Sequence, residues 1–130
     1  MAAKKRVFIG FDYDHDEGAK IMLSGQAKLP DSPFDFIHAS LKEPLSDHWK
    51  GKIKRRMANI DLVTGLCGES THTATGAAAE VQIAQDMSVP YFLLEAYGDK
   101  VCTEPASAKP SDQVYKWTWG NLKKLIAGEG

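Results

Sequence analysis

Four compact runs of β-branched, aromatic and aliphatic residues recur along the chain, at positions 6–11, 34–38, 62–67 and 89–94, and each reads as a strand. Between them, at 18–27, 47–59 and 75–87, the apolar residues return at helical spacing. Strands that alternate with helices imply a parallel sheet covered on both faces. The strands themselves lack a clean in/out alternation, as strands buried on both sides should. After Glu95 the pattern weakens, and Gly98, Pro105 and Pro110 mark 96–112 as a long ordered loop whose length hints at a lid. The last stretch, 115–126, reads as an amphipathic closing helix, with Tyr115, Trp117 and Trp119 docking it onto the sheet.

Length changes this picture little: 130 residues make one domain, 1–130, with no linker or repeat. Surface scaling gives roughly 6,800 Å² accessible when folded, about a third of the extended chain, so a core can form without staples. Sixteen Lys+Arg against seventeen Asp+Glu leave a net charge of −1, which argues against a surface built to grip nucleic acid or an anionic membrane. No apolar run approaches the ~20 residues needed to span a bilayer, and no signal-type stretch follows the opening Met-Ala-Ala-Lys-Lys-Arg. A soluble, cytoplasmic protein is expected. Cys67 and Cys102 show neither metal-ligand spacing nor disulfide density and read as buried thiols.

Ligands of open parallel α/β sheets bind beyond the carboxyl ends of the strands, where loops and helix N-termini converge. After the first strand stand Asp12, Asp14, Asp16 and Glu17, which could hold Mg²⁺ in the manner of a phosphoacceptor receiver or, more plainly, cap the next helix. A receiver also needs an Asp at the end of its third strand; here that strand ends in Cys67-Gly68. After it comes a hydroxyl-rich loop with His72, suited to bonding a ribose or phosphate and lacking the paired ligands of a zinc site. Glu80 is the oddest residue. Gly76 and Ala77 precede it by four and three positions and Ile83 and Ala84 follow by three and four, so a carboxylate stands among small and apolar neighbours. Either it lies at the edge of the packing stripe, helped by the helix dipole, or the small residues open a pocket in which desolvation sharpens its effect on a bound cation. On the second helix Ser46 is a candidate N-cap, and Trp49, Ile53 and Met57 form a core line. The flanking Lys50, Lys52, Lys54, Arg55 and Arg56 read as a solvated face.

Three segments, Arg6-Val-Phe-Ile-Gly-Phe-Asp-Tyr-Asp-His-Asp16, Cys67-Gly-Glu-Ser-Thr-His-Thr-Ala-Thr-Gly-Ala-Ala-Ala-Glu80 and Tyr115-Lys-Trp-Thr-Trp119, together resemble the TIR-like family that includes the ThsB proteins of Thoeris antiphage systems. The resemblance runs from about Lys5 to Ile126. It implies a flavodoxin-like three-layer α/β sandwich with a central parallel sheet. It also implies cleavage of the nicotinamide–ribose bond of NAD⁺ and formation of a cyclic ADP-ribose-type signal, with NAD⁺ as substrate and no further cofactor or metal. Glu80 matches the family's catalytic glutamate. Phe11, Asp12 and Tyr13 are expected to line the pocket, Trp49 to stack a base, and Gly68 and His72 to contact ribose or phosphate. Self-association and an effector protein reached through the diffusible nucleotide follow from the same resemblance. Two departures stand out: Gly10 replaces a common serine, and Ala78-Ala79 replace the Trp-Cys pair found before the glutamate in eukaryotic members.

Overall fold

The computed structural model describes residues 5–12, 15–39, 47–73, 75–98, 101–110 and 112–127. Five parallel strands, β1 (Lys5–Gly10), β2 (Phe34–Ala39), β3 (Leu62–Cys67), β4 (Tyr91–Glu95) and β5 (Val114–Tyr115), lie in the order β2-β1-β3-β4-β5. That is the flavodoxin-like order, and its strand sequence reverses direction between β1 and β3. Register is direct on the right of β1, where Gly10 pairs with Gly65 and Cys67 with Glu95, and shifts between Val7 and Phe8 against β2.

Right-handed crossovers decide which helix covers which face. Stepping from β1 to β2 places α1 (Glu17–Gln26) on one side, whereas α2 (Asp47–Met57) and α3 (Thr75–Asp86) accompany steps in the other direction and cover the opposite side. Packing agrees. Val7, Ile9, Leu66 and Leu94 meet Ala19 and Leu23 of α1, together with Leu122, Leu125 and Ile126 of α4 (Trp119–Ile126). Phe8 and Val63 meet Trp49, Ile53 and Met57 of α2 and Ile83 and Ala84 of α3. Three layers result, and the strands are apolar on both faces because both faces are covered.

Two expectations need correction. Val114–Tyr115 is a short strand on β4, with Val114 opposite Leu93, and the last helix begins only at Trp119, where the Thr118 side chain accepts from the Asn121 N–H. The segment 101–110 is no hanging lid in its described part. Handedness sends the β4–β5 connection over the α3 face, and Cys102 and Ala108 pack there against Cys67, Val81 and Leu93. Ser107 Oγ donates to the Ala78 carbonyl at 2.5 Å, and Gln85 Nε2 donates to the Ser107 carbonyl at 3.0 Å. The loop fills a place that a helix usually takes. Tyr115, Trp117 and Trp119 pack against the α1-side core, and the indoles bond to α1 and the turns after it, not to the sheet: Trp117 Nε1 donates to Gln26 Oε1 at 2.9 Å, and Trp119 Nε1 to Asp31 Oδ2 at 3.0 Å.

Candidate functional site

The carboxyl ends of β1 and β3, where the strand order reverses, bring together most of the residues singled out by sequence. Glu80 sits in the second turn of α3 with Ala77, Val81, Ile83 and Ala84 buried around it, and is itself only 1% exposed. It therefore lies within the packing stripe and not at its edge. Its carboxylate faces the last residue of β1: a Cβ built on Gly10 would stand 3.6 Å from Glu80 Oε1. Ordinary van der Waals contact at that distance leaves room for a small side chain, and glycine keeps the carboxylate's approach to the strand end open.

A second carboxylate approaches the same strand ends from the other layer. Asp16 occupies the N-cap position of α1 but makes no capping hydrogen bond with its side chain. The carboxylate turns inward instead, 2% exposed, and accepts from the Tyr97 hydroxyl at 3.0 Å. Its two oxygens fill the space where a side chain on Gly68 would begin. Capping was the wrong explanation for Asp16. The Tyr97 hydroxyl is pushed up to about 12 by burial and by its bond to this carboxylate, which favours keeping the proton on the phenol. Burial likewise pushes the Cys67 thiol, at the end of β3, up to about 12.

The remaining site residues divide. Phe11 is buried in the α1-side core and Asp12 is buried beside it, with Oδ2 2.7 Å from His15 Nδ1; the Asp12 carbonyl accepts from the His15 and Asp16 N–H groups. Tyr13, like Asp14 and Ser46, lies outside the described residues. Gly68 donates its N–H to Thr71 Oγ1 at 2.7 Å and accepts from the Thr103 N–H at 2.9 Å. His72, in the 3₁₀ turn Thr71–Thr73, is exposed near the same strand end, its N–H donating to Thr103 Oγ1 at 3.0 Å and its Nδ1 2.9 Å from that oxygen. Trp49 is different. At 1% exposure its ring is enclosed by the Phe8, Ile53 and Met57 core, so a base could stack on it only by displacing core side chains. The core-line reading of Trp49 is what the packing supports, and the residue does not enter the site proposed below.

Sequence reasoning missed Tyr97 and Thr103. Both come from the connection after β4 and reach partners 81 and 31 residues away, Asp16 and His72. No local pattern signals such pairings. Cavities add a contrast: one of about 360 Å³ opens at the opposite, amino edge of the sheet among Lys5, Asp61, Tyr91 and Asp112. Another of about 270 Å³ lies at the end of β4 between Glu95, Gly98 and Trp117. Neither is lined by Glu80. The strand-order reversal is the better guide here, because the two buried acids, Glu80 and Asp16, lie beside Gly10 and Gly68 at those strand ends. Among the described residues no group of three or more His, Cys, Asp or Glu side chains is placed to hold a metal, and no helix is long and apolar enough to cross a membrane.

Comparison with protein-family models gives no match, and comparison with curated proteins gives none. Solved structures do match. A crystal structure of a prokaryotic SEFIR domain superposes with a TM-score of 0.53 at 15% identity, covering 96% of this chain and 89% of that one. At that identity the likeness speaks for the fold alone, and the fold is the flavodoxin-like, TIR-like α/β sandwich that the sequence resemblance implied.

Proposed function

We propose that the chain is an NAD⁺-consuming TIR-type enzyme that cleaves the nicotinamide–ribose bond and forms a cyclic ADP-ribose-type signal, in a Thoeris-like antiphage setting. The observation that carries this reading is the position of Glu80: a carboxylate enclosed by α3 and the end of β1, where the strand order reverses. Breaking the bond from ribose C1′ to the pyridinium nitrogen sends the bonding electron pair to nicotinamide, which leaves neutral, and develops positive charge on the sugar. A preorganised carboxylate shielded from water stabilises that charge far better than an exposed one. An adenine nitrogen or ribose hydroxyl of the same molecule then bonds to C1′; a hydroxyl loses its proton in doing so. Cyclisation prevails over hydrolysis when this nucleophile is held closer than water. On this reading Phe11 and Asp12 line the pocket, and Gly68 and His72 contact the ribose and phosphates. NAD⁺ is the partner this site needs, a second copy of the chain completes the assembly, and the nucleotide product carries the signal to an effector protein.

The experiment is chromatography and mass spectrometry of NAD⁺ and its products with assembled or phage-exposed protein, set against Glu80→Gln. Turnover should fall by at least about 10²-fold in the variant, the scale of losing a preorganised charge-stabilising group. Equal turnover in both proteins removes Glu80 from the chemistry.

One observation favours a second reading, a non-catalytic TIR-type assembly module. Glu80 is so fully enclosed that a structural role, joining α3 to the end of β1, accounts for the same placement. Under that reading Glu80→Gln retains biological activity and NAD⁺ is consumed in no assembled state.

A further inference from the structure

Thr103, half-buried in the connection between β4 and β5, ties an exposed histidine to the end of β3. Its own N–H donates to the Gly68 carbonyl at 2.9 Å, which seats it on the strand end. Its hydroxyl oxygen accepts from the His72 N–H at 3.0 Å and stands 2.9 Å from Nδ1 of the same residue. The Gly68 and Glu69 carbonyls lie 3.2 and 3.3 Å from that oxygen. The seat beneath is firm, since Thr71 is fully buried and its Oγ1 takes the Gly68 N–H at 2.7 Å. One oxygen thus holds both the main chain and the ring of His72. An exposed imidazole otherwise turns among rotamers, and flipping this one would put a carbon where Nδ1 now meets the hydroxyl.

A hydroxyl has one proton and two lone pairs, and here one lone pair is taken by the His72 N–H. When the imidazole is neutral, the proton goes to the nearest acceptor, Nδ1, because the Gly68 carbonyl already accepts from the Thr103 N–H. The ring proton then sits on Nε2. When the imidazole is charged, Nδ1–H donates to the second lone pair, and the hydroxyl turns to the Gly68 or Glu69 carbonyl. In both states Nε2 carries a hydrogen, so the ring offers its ligand a donor and never a lone pair. A ribose hydroxyl can meet a donor or an acceptor, whereas a phosphate oxygen can meet only a donor. We propose that Thr103 is a positioning residue, which presents His72 Nε2–H as a fixed donor to a pyrophosphate oxygen of the dinucleotide. Holding the ring before the ligand arrives removes part of the ordering cost of binding. The choice of ligand rests on the NAD⁺ reading above, whereas the fixing of the ring needs no ligand.

Nitrogen and proton NMR of the His72 ring in the full chain, without and with NAD⁺, tests it. In mildly alkaline buffer without ligand, Nδ1 should give the signal of an unprotonated nitrogen and Nε2 that of a protonated one, with side-chain couplings of a single rotamer. Thr103→Ser should keep that signature, and Thr103→Val, which holds the shape and removes the hydroxyl, should average the couplings while leaving the circular dichroism spectrum unchanged. NAD⁺ should shift the His72 Nε2 signal. Its affinity should fall about tenfold in Thr103→Val, equivalent to about 1.4 kcal/mol, and recover in Thr103→Ser. A proton on Nδ1 of the neutral ring overturns the proposal, as do unaveraged couplings or unchanged affinity in Thr103→Val, or a His72 signal indifferent to NAD⁺. Glu80→Gln separates the two readings. NAD⁺ that moves His72 yet is turned over equally with and without Glu80 sinks the assignment of Glu80 alone, and Glu80-dependent turnover with an unmoved His72 sinks only the role given to Thr103.

Discussion

Gly68 shows how much a single residue can be constrained by something far along the chain. Its neighbours in sequence describe an ordinary polar loop, and from them it reads as a contact for ribose or phosphate. In the fold the Asp16 carboxylate occupies the space beside its Cα, pinned there by the Tyr97 hydroxyl. Even a methyl group must push that buried, hydrogen-bonded carboxylate aside. Gly68→Ala is therefore expected to destabilise the protein by about 1–3 kcal/mol, the usual cost of overpacking, measured by urea or thermal unfolding. Asp16→Ala in the same chain should recover part of that loss, because the two changes share one space and cannot be additive. Gly10 is the contrasting case. A Cβ there stands at ordinary contact distance from Glu80 Oε1, so a methyl group at Gly10 displaces nothing.

At the scale of elements, α3 ends in a way that leaves strain in the chain. The Val89 N–H donates to the Ala84 carbonyl and the Met87 N–H to that of Ile83, closing the helix while Ser88 takes a left-handed conformation with φ of 57°. Glycine adopts that conformation without the Cβ penalty, and it is the usual residue at the end of such a helix. Ser88→Gly is expected to raise stability by up to about 1 kcal/mol and Ser88→Val to lower it, read from denaturant midpoints at unchanged slope. The same scale explains two misread segments. β5 is only two residues long, too short to show a period, and it is a strand because β4 offers a free edge to Val114 and Tyr115. The following Thr118 caps the last helix, a signal that was present in sequence but hidden among flanking aromatics that suit strand and helix alike.

For the whole molecule, burial at the carboxyl edge sets how stability responds to alkali. The Cys67 thiol is raised from 9.0 and the Tyr97 hydroxyl from 10.0, each to about 12. Both groups are neutral when protonated, so the unfolded chain gives up their protons first as pH rises, and it then binds fewer protons than the folded one. Stability from these groups is complete below about pH 9 and is lost progressively towards pH 12. Thermal midpoints should fall across that window, and Cys67→Ala should flatten the slope at its lower end. A midpoint that holds constant from pH 9 to 11 in the parent protein contradicts this account of the two groups.

Local chemistry by itself determined the alternation of β-branched runs with helical stretches, and with it the parallel α/β sandwich, since backbone hydrogen bonding and handed crossovers leave few other ways to bury such segments. It also marked Glu80, because a carboxylate at a packing position stands out at helical spacing. Only the tertiary structure decided that this carboxylate is enclosed against the end of β1 and that the Asp16 side chain turns inward to Tyr97 instead of capping α1. Each of these depends on a contact between residues distant in sequence, and spacing along one element carries no record of what packs against it from another.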